Sequence, residues 1–340
     1  MIWYKYGTGI GQGLCRRRRW WIATVLLFVT ISASSIRVDD TWADECGKHI
    51  SATVESDVNA PRSYHVPMCN ASFTIPELFA DFSAHQVEWS VMGKTQAFYS
   101  VLTGLPRDDS LVTRNMTTDF YVSGKLDIAT ALSEVQSVYP DWAPRGNALD
   151  FGCGLGRLGV ALAQTPGFAS VTCVDQSIFH MSKLESFTAE FEKVAHFLPI
   201  VSGPDMLMAL WSDPAIPMCY DFVNSLIVLQ HMICPLQAVY LEQLCDVLKP
   251  NGVARLHIPS QTPMKPACTE ELRKHYRDTG GMQMHYLNEG SVRQILSRRG
   301  CDSKVAHVGE KYVGANHQSM IVYLRKRTLL RDGLRACTCA

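Results

Sequence analysis

Asp150, Gly152, Gly154, Gly156 and Arg157 are crowded into one short stretch, LDFGCGLGRLG, residues 149–159. Counted from Gly154, it reads Gly-x-Gly-x-x-Gly through Gly156 and Gly159, a spacing that lets a helix N-terminus hold a pyrophosphate. Counted from Asp150, it reads Asp-x-Gly-x-Gly-x-Gly-Arg. Dinucleotide sites run an apolar strand straight into the first glycine, whereas here a carboxylate stands two residues ahead of it. That charge opposes a pyrophosphate. It suits a ligand with an ammonium and a sulfonium, whose single small carboxylate the backbone N–H groups can meet. Asp175 ends the apolar run SVTCVD and is placed to accept hydrogen bonds from two ribose hydroxyls. Both ligand types carry such a ribose.

The elements that would position these residues alternate along the chain. Ile128, Ala131, Leu132, Val135 and Val138 recur at helical spacing from Gly124 until Pro140 stops them. NALDF then reads as a strand, Leu158 to Gln164 as a helix, SVTCVD as a strand and Ile178 to Ala195 as a helix. HFLPIV, YDFVNSLIV and VARLHIP continue the strands, with a helix from Pro235 to Leu248 before the last of them. EGSVRQILSRRG, SKVAHV and HQSMIVYLRK close the series as one helix and two strands. Strands alternating with helices predict an α/β fold, with a mainly parallel, doubly wound sheet covered on both faces. Ligands of such sheets sit beyond the carboxyl ends of the strands.

ALDFGCGLGRLGVALA, VTCVDQS, YDFVNSLIVLQHM and LKPNGV, taken together, closely resemble class I S-adenosylmethionine-dependent methyltransferases, whose motifs run in this order at similar spacing. The resemblance spans about residues 115 to 327. It implies a Rossmann-like seven-stranded sheet in which HQSMIVYLRK runs antiparallel, and S-adenosyl-L-methionine as cofactor. It further implies that Gly152, Gly154 and Gly156 line the methionine part of the cofactor, that Asp150 fixes the loop and the ammonium, and that Asp175 binds the ribose. Gln176 would lie near the adenine edge, and Asp205 in VSGPDM is a candidate for the adenine amino group.

Methyl transfer is an in-line displacement that needs alignment and exclusion of water rather than a covalent protein intermediate. His231, after the fourth strand of the alternation, is the candidate to take a proton from an acceptor; orienting the loop or touching the cofactor is its alternative role. Tyr121 and Ser123, placed before the first helix, are read as capping or packing residues, and His285 and Tyr286 as residues that could face substrate. NSLI replaces the Asn-Pro-Pro-Tyr type of motif, and Cys234-Pro235 reverses the Pro-Cys order used on cytosine carbon. No basic stripe interleaved with aromatics occurs either. The acceptor expected by elimination is a small-molecule oxygen or nitrogen nucleophile, with no nucleic acid. A membrane-anchored, non-catalytic scaffold or sensor that keeps the fold is the alternative, and a dehydrogenase, which would bind NAD, is a more distant one.

Composition agrees with a large globular chain: 340 residues, nearly half of them hydrophobic, and a formal charge of zero. The twelve cysteines are scattered without Cys-x-x-Cys pairs, so no metal site is expected. Cys153, Cys173, Cys219 and Cys245 lie in apolar segments and read as buried thiols. Before the first acidic residue, Asp39, four arginines precede an apolar stretch from Trp20 to Ile36. This leader reads as a single N-terminal segment that associates the chain with a membrane and sends the following domain across it. A mis-assigned start in a cytoplasmic protein and a removed organellar presequence are the alternatives. Asn70-Ala71-Ser72 and Asn115-Met116-Thr117 match the glycosylation triplet. The expected organisation is a leader over 1–40, a partly helical extension over 41–113, a methyltransferase domain over 114–327 and a tail over 328–340. Within the extension, Val87, Val91, Phe98, Val101 and Leu102 suggest helical packing.

Overall fold

The structure, a computed structural model, describes residues 63–66, 71–188, 197–203, 206, 210, 216–261, 269–279 and 282–327. By contacts the chain divides into Met1–Ala60 and Pro61–Ala340. The first unit, and with it the leader, lies outside the described residues. Among those residues no helix is long and apolar enough to cross a membrane.

The framework is a seven-stranded sheet of β3 (Gly146–Phe151), β4 (Phe168–Asp175), β5 (Phe197–Val201), β6 (Tyr220–Ser225), β7 (Leu248–Gln261), β8 (Cys301–Gly309) and β9 (Gln318–Lys326). Their spatial order is β5-β4-β3-β6-β7-β9-β8. The first five strands pair in parallel, and β9 is antiparallel to both β7 and β8. This is the mainly parallel sheet that the alternation predicts, with the one antiparallel strand that the resemblance implies. Strand order reverses at β3, so the crevice between the carboxyl ends of β3 and β6 is the natural ligand position. Register sets Asp150 of β3 beside Cys173 of β4 and Asn224 of β6.

Both faces of the sheet are buried. Alternate residues of the strands enter separate cores: Leu149, Phe151 and Val223 pack with the helices α6 (Cys234–Asp246) and α8 (Glu289–Arg298). Ala148, Val171 and Phe222 pack on the other face with α3 (Arg114–Val138) and α4 (Arg157–Ala163). The period of two along each strand produces this division. α5 (Ile178–Thr188) and α7 (Glu270–Thr279) complete the helices of this part.

Ahead of the sheet come a hairpin, β1 (Ser63–Val66) with β2 (Ala71–Thr74), and two helices, α1 (Ile75–Thr95) and α2 (Ala97–Val101). α1 starts where its residues allow: Glu77 accepts the N–H of Thr74 at 2.7 Å, and Pro76, in the first turn, lacks an N–H that would be unpaired there. The buried Asp81 of α1 accepts from Arg273 at 2.7 Å and Arg277 at 2.5 Å, both on α7. Truncating a buried partner of this kind strands the remaining charge.

Three sequence expectations need correction. α3 starts at Arg114, ten residues before Gly124, because Thr113 caps it by accepting the N–H of Met116 at 3.3 Å and its first turns bury Phe120 and Tyr121. Tyr121 and Ser123 therefore lie inside the helix, not before it. Val87 and Val91 are not packing residues: they are 66% and 61% exposed, and α1 turns its His85 and Trp89 side inward instead. Cys245 and Cys219 are not free thiols. Cys245 of α6 is joined to Cys301 of β8 across 56 residues, and Cys219 is also disulfide-bonded, whereas Cys153 and Cys173 are buried and free as expected. Closing a loop of that length removes about 4 kcal/mol of chain entropy from the unfolded state in the simplest treatment.

Candidate functional site

One cleft opens at the carboxyl ends of β3, β4 and β6, with α1 and α2 forming its opposite wall; its empty volume, open solvent included, is about 860 Å³. The loop after β3 shapes its floor. Gly152 has φ +74°, and a Cβ there would meet the Val228 side chain at 2.3 Å. Gly154, at φ +53°, leaves the same narrow room beneath Val101 of α2. Side chains at either position would be strained and would fill the space where the backbone must approach a ligand. Gly156 then stands at the N-cap of α4.

Two carboxylates flank this loop. Asp175 accepts the N–H of Gly154 at 2.9 Å through one oxygen and the N–H of Ser177 at 2.8 Å through the other. The carboxylate is thereby fixed in orientation, and each oxygen keeps a second lone pair for a ligand hydroxyl. Asp150 is buried; one oxygen accepts from Asn224 at 3.2 Å and the other has no partner. Burial pushes its pKa up to about 7, against the hydrogen bond from Asn224 and the charge of Arg157. An orphaned, buried carboxylate oxygen beside a glycine cradle fits a ligand ammonium.

His231 lies in a 3-10 turn, Leu229–His231, directly after β6. Its Nδ1 is 3.1 Å from the Gln283 carbonyl and its Nε2 3.1 Å from the Gln230 side-chain nitrogen. A carbonyl only accepts, so Nδ1 carries the proton and Nε2 presents its lone pair. Burial lowers the pKa to about 4. The ring is neutral at pH 7 and can accept a proton at Nε2 once the Gln230 amide yields its place. Trp89 of α1 lies over it, with ring centroids 5.1 Å apart.

Gln176 lines the cleft, tied to α1: its backbone carbonyl accepts from Gln86 at 3.0 Å, and its side-chain oxygen is 3.2 Å from His85 Nδ1. Trp89 donates to His85 Nε2 at 2.7 Å, so His85 holds its proton on Nδ1 and donates to Gln176. Burial depresses this imidazole to about 3. Ser100 of α2 meets His180 Nε2 at 2.7 Å on the same wall. Asp205 lies outside the described residues. His285 is buried, both ring nitrogens lack partners, and it packs on Tyr276 rather than lining the cleft. Tyr286 does not line it either. Tyr121 donates to the Leu155 carbonyl at 3.0 Å and Ser123 accepts from Arg157 at 3.2 Å, which gives both the task of bracing the glycine loop.

Sequence reasoning missed His85, Trp89, Ser100, Val101 and His180. Only a polar, aromatic interruption in HQVEWSVMGKTQAFYSV, where a packing helix should be apolar, hinted at His85, Trp89 and Ser100. Among the described residues no group of His, Cys, Asp or Glu is arranged to hold a metal.

Residues 114–197 match the family model described as methyltransferase small domain. That match covers about a quarter of the chain, from α3 to the start of β5, and includes the glycine cradle and both carboxylates. Similar solved structures include magnesium protoporphyrin IX methyltransferase from Synechocystis PCC 6803 with bound S-adenosylhomocysteine, at 18% identity and TM-score 0.48, covering 72% of this chain and 99% of that one. A putative sarcosine dimethylglycine methyltransferase from Galdieria sulphuraria is 13% identical with TM-score 0.45, covering 62% and 87%. Phosphoethanolamine N-methyltransferase 2 from Haemonchus contortus is 13% identical with TM-score 0.43, covering 58% and 52%. No curated protein matches the chain.

Proposed function

We propose that the protein transfers a methyl group from S-adenosylmethionine to an uncharged small molecule through an oxygen or nitrogen nucleophile. The observation that carries this is the division of charge in the cleft. Its carboxyl and guanidinium groups, Asp150, Arg157 and Asp175, cluster at the glycine loop, while the remaining lining carries no such group: it is apolar and aromatic (Trp89, Val101, Val228, Met232) with neutral imidazoles and the uncharged polar side chains of Ser100, Gln176 and Ser202. A cationic or anionic acceptor placed against that wall would lose its hydration without gaining an oppositely charged partner, which costs several kcal/mol (on the order of 2–7 even for a neutral polar group).

In this reading Gly152, Gly154 and Gly156 accommodate the methionine part of the cofactor, the free oxygen of Asp150 receives its ammonium, and Asp175 receives the ribose hydroxyls. Bound S-adenosylmethionine supplies a methyl group already activated by its sulfonium. The chain's own residues align and dry the site: α1 and α2 exclude water, Trp89 orders the ring of His231, and His231 Nε2 takes the acceptor's proton. Asp205 remains a candidate for the adenine amino group, and Gln176 would lie near the adenine edge.

Incubation of the purified protein with methyl-labelled S-adenosylmethionine and a panel of neutral phenols, alcohols and amides, alongside cationic amines and carboxylates of equal size, tests the assignment. Turnover confined to neutral acceptors is expected. Preference for the cationic amines would overturn it.

A further inference from the structure

Away from the cleft, the cysteines and one exposed turn share a chemistry that the methyl-transfer reading does not use. Cys245 and Cys301 are both buried and are joined as a disulfide, with their Cα atoms 6.2 Å apart. Cys219 is disulfide-bonded as well. Cytosolic glutathione and thioredoxin keep such thiols reduced, so structural disulfides mark a chain that folds in an oxidising compartment. The leader points the same way: four arginines, Arg16 to Arg19, directly precede the apolar stretch Trp20 to Ile36, the charge order that leaves the start of a chain in the cytosol and carries the domain beyond it across a membrane.

In that compartment Asn115-Met116-Thr117 becomes chemically meaningful. Asn115 is exposed in the first turn of α3, one residue past Arg114, which opens the helix. Met116 at the middle position is not proline, and Thr117 supplies the hydroxyl, which in the fold donates to the Thr113 carbonyl at 3.2 Å. Residues 114–118 do not line the cleft, and the α3 residues buried next along the helix are Phe120 and Tyr121. A bulky group on Asn115 therefore projects into solvent and leaves both the glycine loop and the acceptor wall open. Asn70, in the other triplet, lies outside the described residues.

We propose that this domain folds on the oxidising side of a membrane and carries an N-linked glycan on Asn115. In the modification the Asn115 side-chain nitrogen attacks the anomeric carbon of a lipid-diphosphate-linked oligosaccharide, supplied by the host's glycosyl-transfer machinery. The new carbon–nitrogen bond forms as the bond from that carbon to the diphosphate oxygen breaks; the amide gives up one proton and the lipid diphosphate leaves. A methyltransferase so placed depends on a carrier that brings S-adenosylmethionine across the same membrane.

The test expresses the full chain in a eukaryotic cell with an active secretory pathway. The purified protein is treated with a glycan-removing amidase in heavy-oxygen water, so that each occupied asparagine becomes a mass-labelled aspartate, and a second sample is alkylated before non-reducing digestion. We expect labelled aspartate at position 115 and a linked Cys245–Cys301 peptide pair. One glycan step of gel mobility should vanish in Asn115→Gln and Thr117→Ala and persist in Thr117→Ser. Unmodified Asn115 in folded protein, occupancy at Asn70 alone, or alkylated free Cys245 and Cys301 would each overturn the proposal.

Discussion

The two walls of the cleft are built on different physical terms. The floor under the glycine loop is a chain of local necessities: β3 delivers Asp150, the next residues must bend without side chains, and β4 delivers Asp175 back onto the loop's Gly154 N–H. The opposite wall, from α1 and α2, has no such local logic. His85, Trp89 and Ser100 belong to it only because Gln176 and His180, some 80 to 91 residues later, lie against them. One wall is a motif, and the other is a packing outcome. In the proposed reading the difference also divides the work: the motif wall carries the charge for the cofactor and the packed wall the neutral surface for the acceptor.

Substitutions on each wall can break that division. The largest effect is expected at His231, where the walls meet. His231→Ala should lower kcat by ~10²- to 10⁴-fold with little change in S-adenosylmethionine affinity, as for loss of a general base. Steady-state kinetics beside calorimetry separates the two readouts, and parallel loss of cofactor affinity would move His231 to the cofactor wall.

Trp89→Ala comes next. It removes the indole that donates to His85 and covers His231, a loss of one hydrogen bond and one ring contact worth roughly 1–2 kcal/mol, or about tenfold. That tenfold should fall on the acceptor's KM while cofactor affinity stays within about a factor of three of wild type. An equal loss in both would mean that the packed wall serves the cofactor too.

The smallest effect is a pH dependence of cofactor binding. The Asp150 carboxyl is raised to about 7, so it gains a proton, and loses the charge that the proposed reading sets against the ammonium, as pH falls through that value. An α-amino group remains protonated below its ordinary pKa of roughly 7.7 to 8.0, so the cofactor's side of the pair does not change in this window. Affinity should drop about fivefold from pH 7 to pH 6, in step with the ionised fraction of the carboxyl. The free protein shows the opposite sign: between about pH 4 and 7 the folded state holds a proton that the unfolded state has released, so this group's contribution to stability declines as pH rises. Asp150→Asn should flatten the binding profile. Isothermal titration at several pH values reads it, and a wild-type profile as flat as the variant's would contradict the role given to Asp150.

The same contrast explains how much of the fold and site was legible in the sequence. The alternation from NALDF to HQSMIVYLRK and the loop with its two carboxylates were legible, because periodicity and glycine spacing are properties of neighbouring residues; the single antiparallel strand came only with the family resemblance. The face of α1 that turns inward was not. Val87 and Val91 have the residue type of a core, yet His85 and Trp89 are drawn inward because each finds a hydrogen-bond partner there, and the valines are left in solvent. The early start of α3 was hidden for a related reason: residues 114–123 look polar, and Phe120 and Tyr121 find apolar contact only when α2 and the glycine loop come to them. The Cys245–Cys301 bond joins elements 56 residues apart, and nothing in the spacing of scattered cysteines announces such a pair.

The placement of the cofactor rests on Asp175, whose two oxygens are held in place by Gly154 and Ser177 with a lone pair left on each. Calorimetric titration of S-adenosylmethionine into the wild-type protein and into Asp175→Ala, with a melting curve to show that both are folded, measures its role directly. Hydrogen bonds to a charged group contribute about 1.5–3 kcal/mol each, so the loss of the carboxylate should weaken binding by about 3 kcal/mol, on the order of 100-fold, with Asp175→Asn milder. Equal affinity in the wild type and in folded Asp175→Ala would contradict a cofactor seated in this cleft.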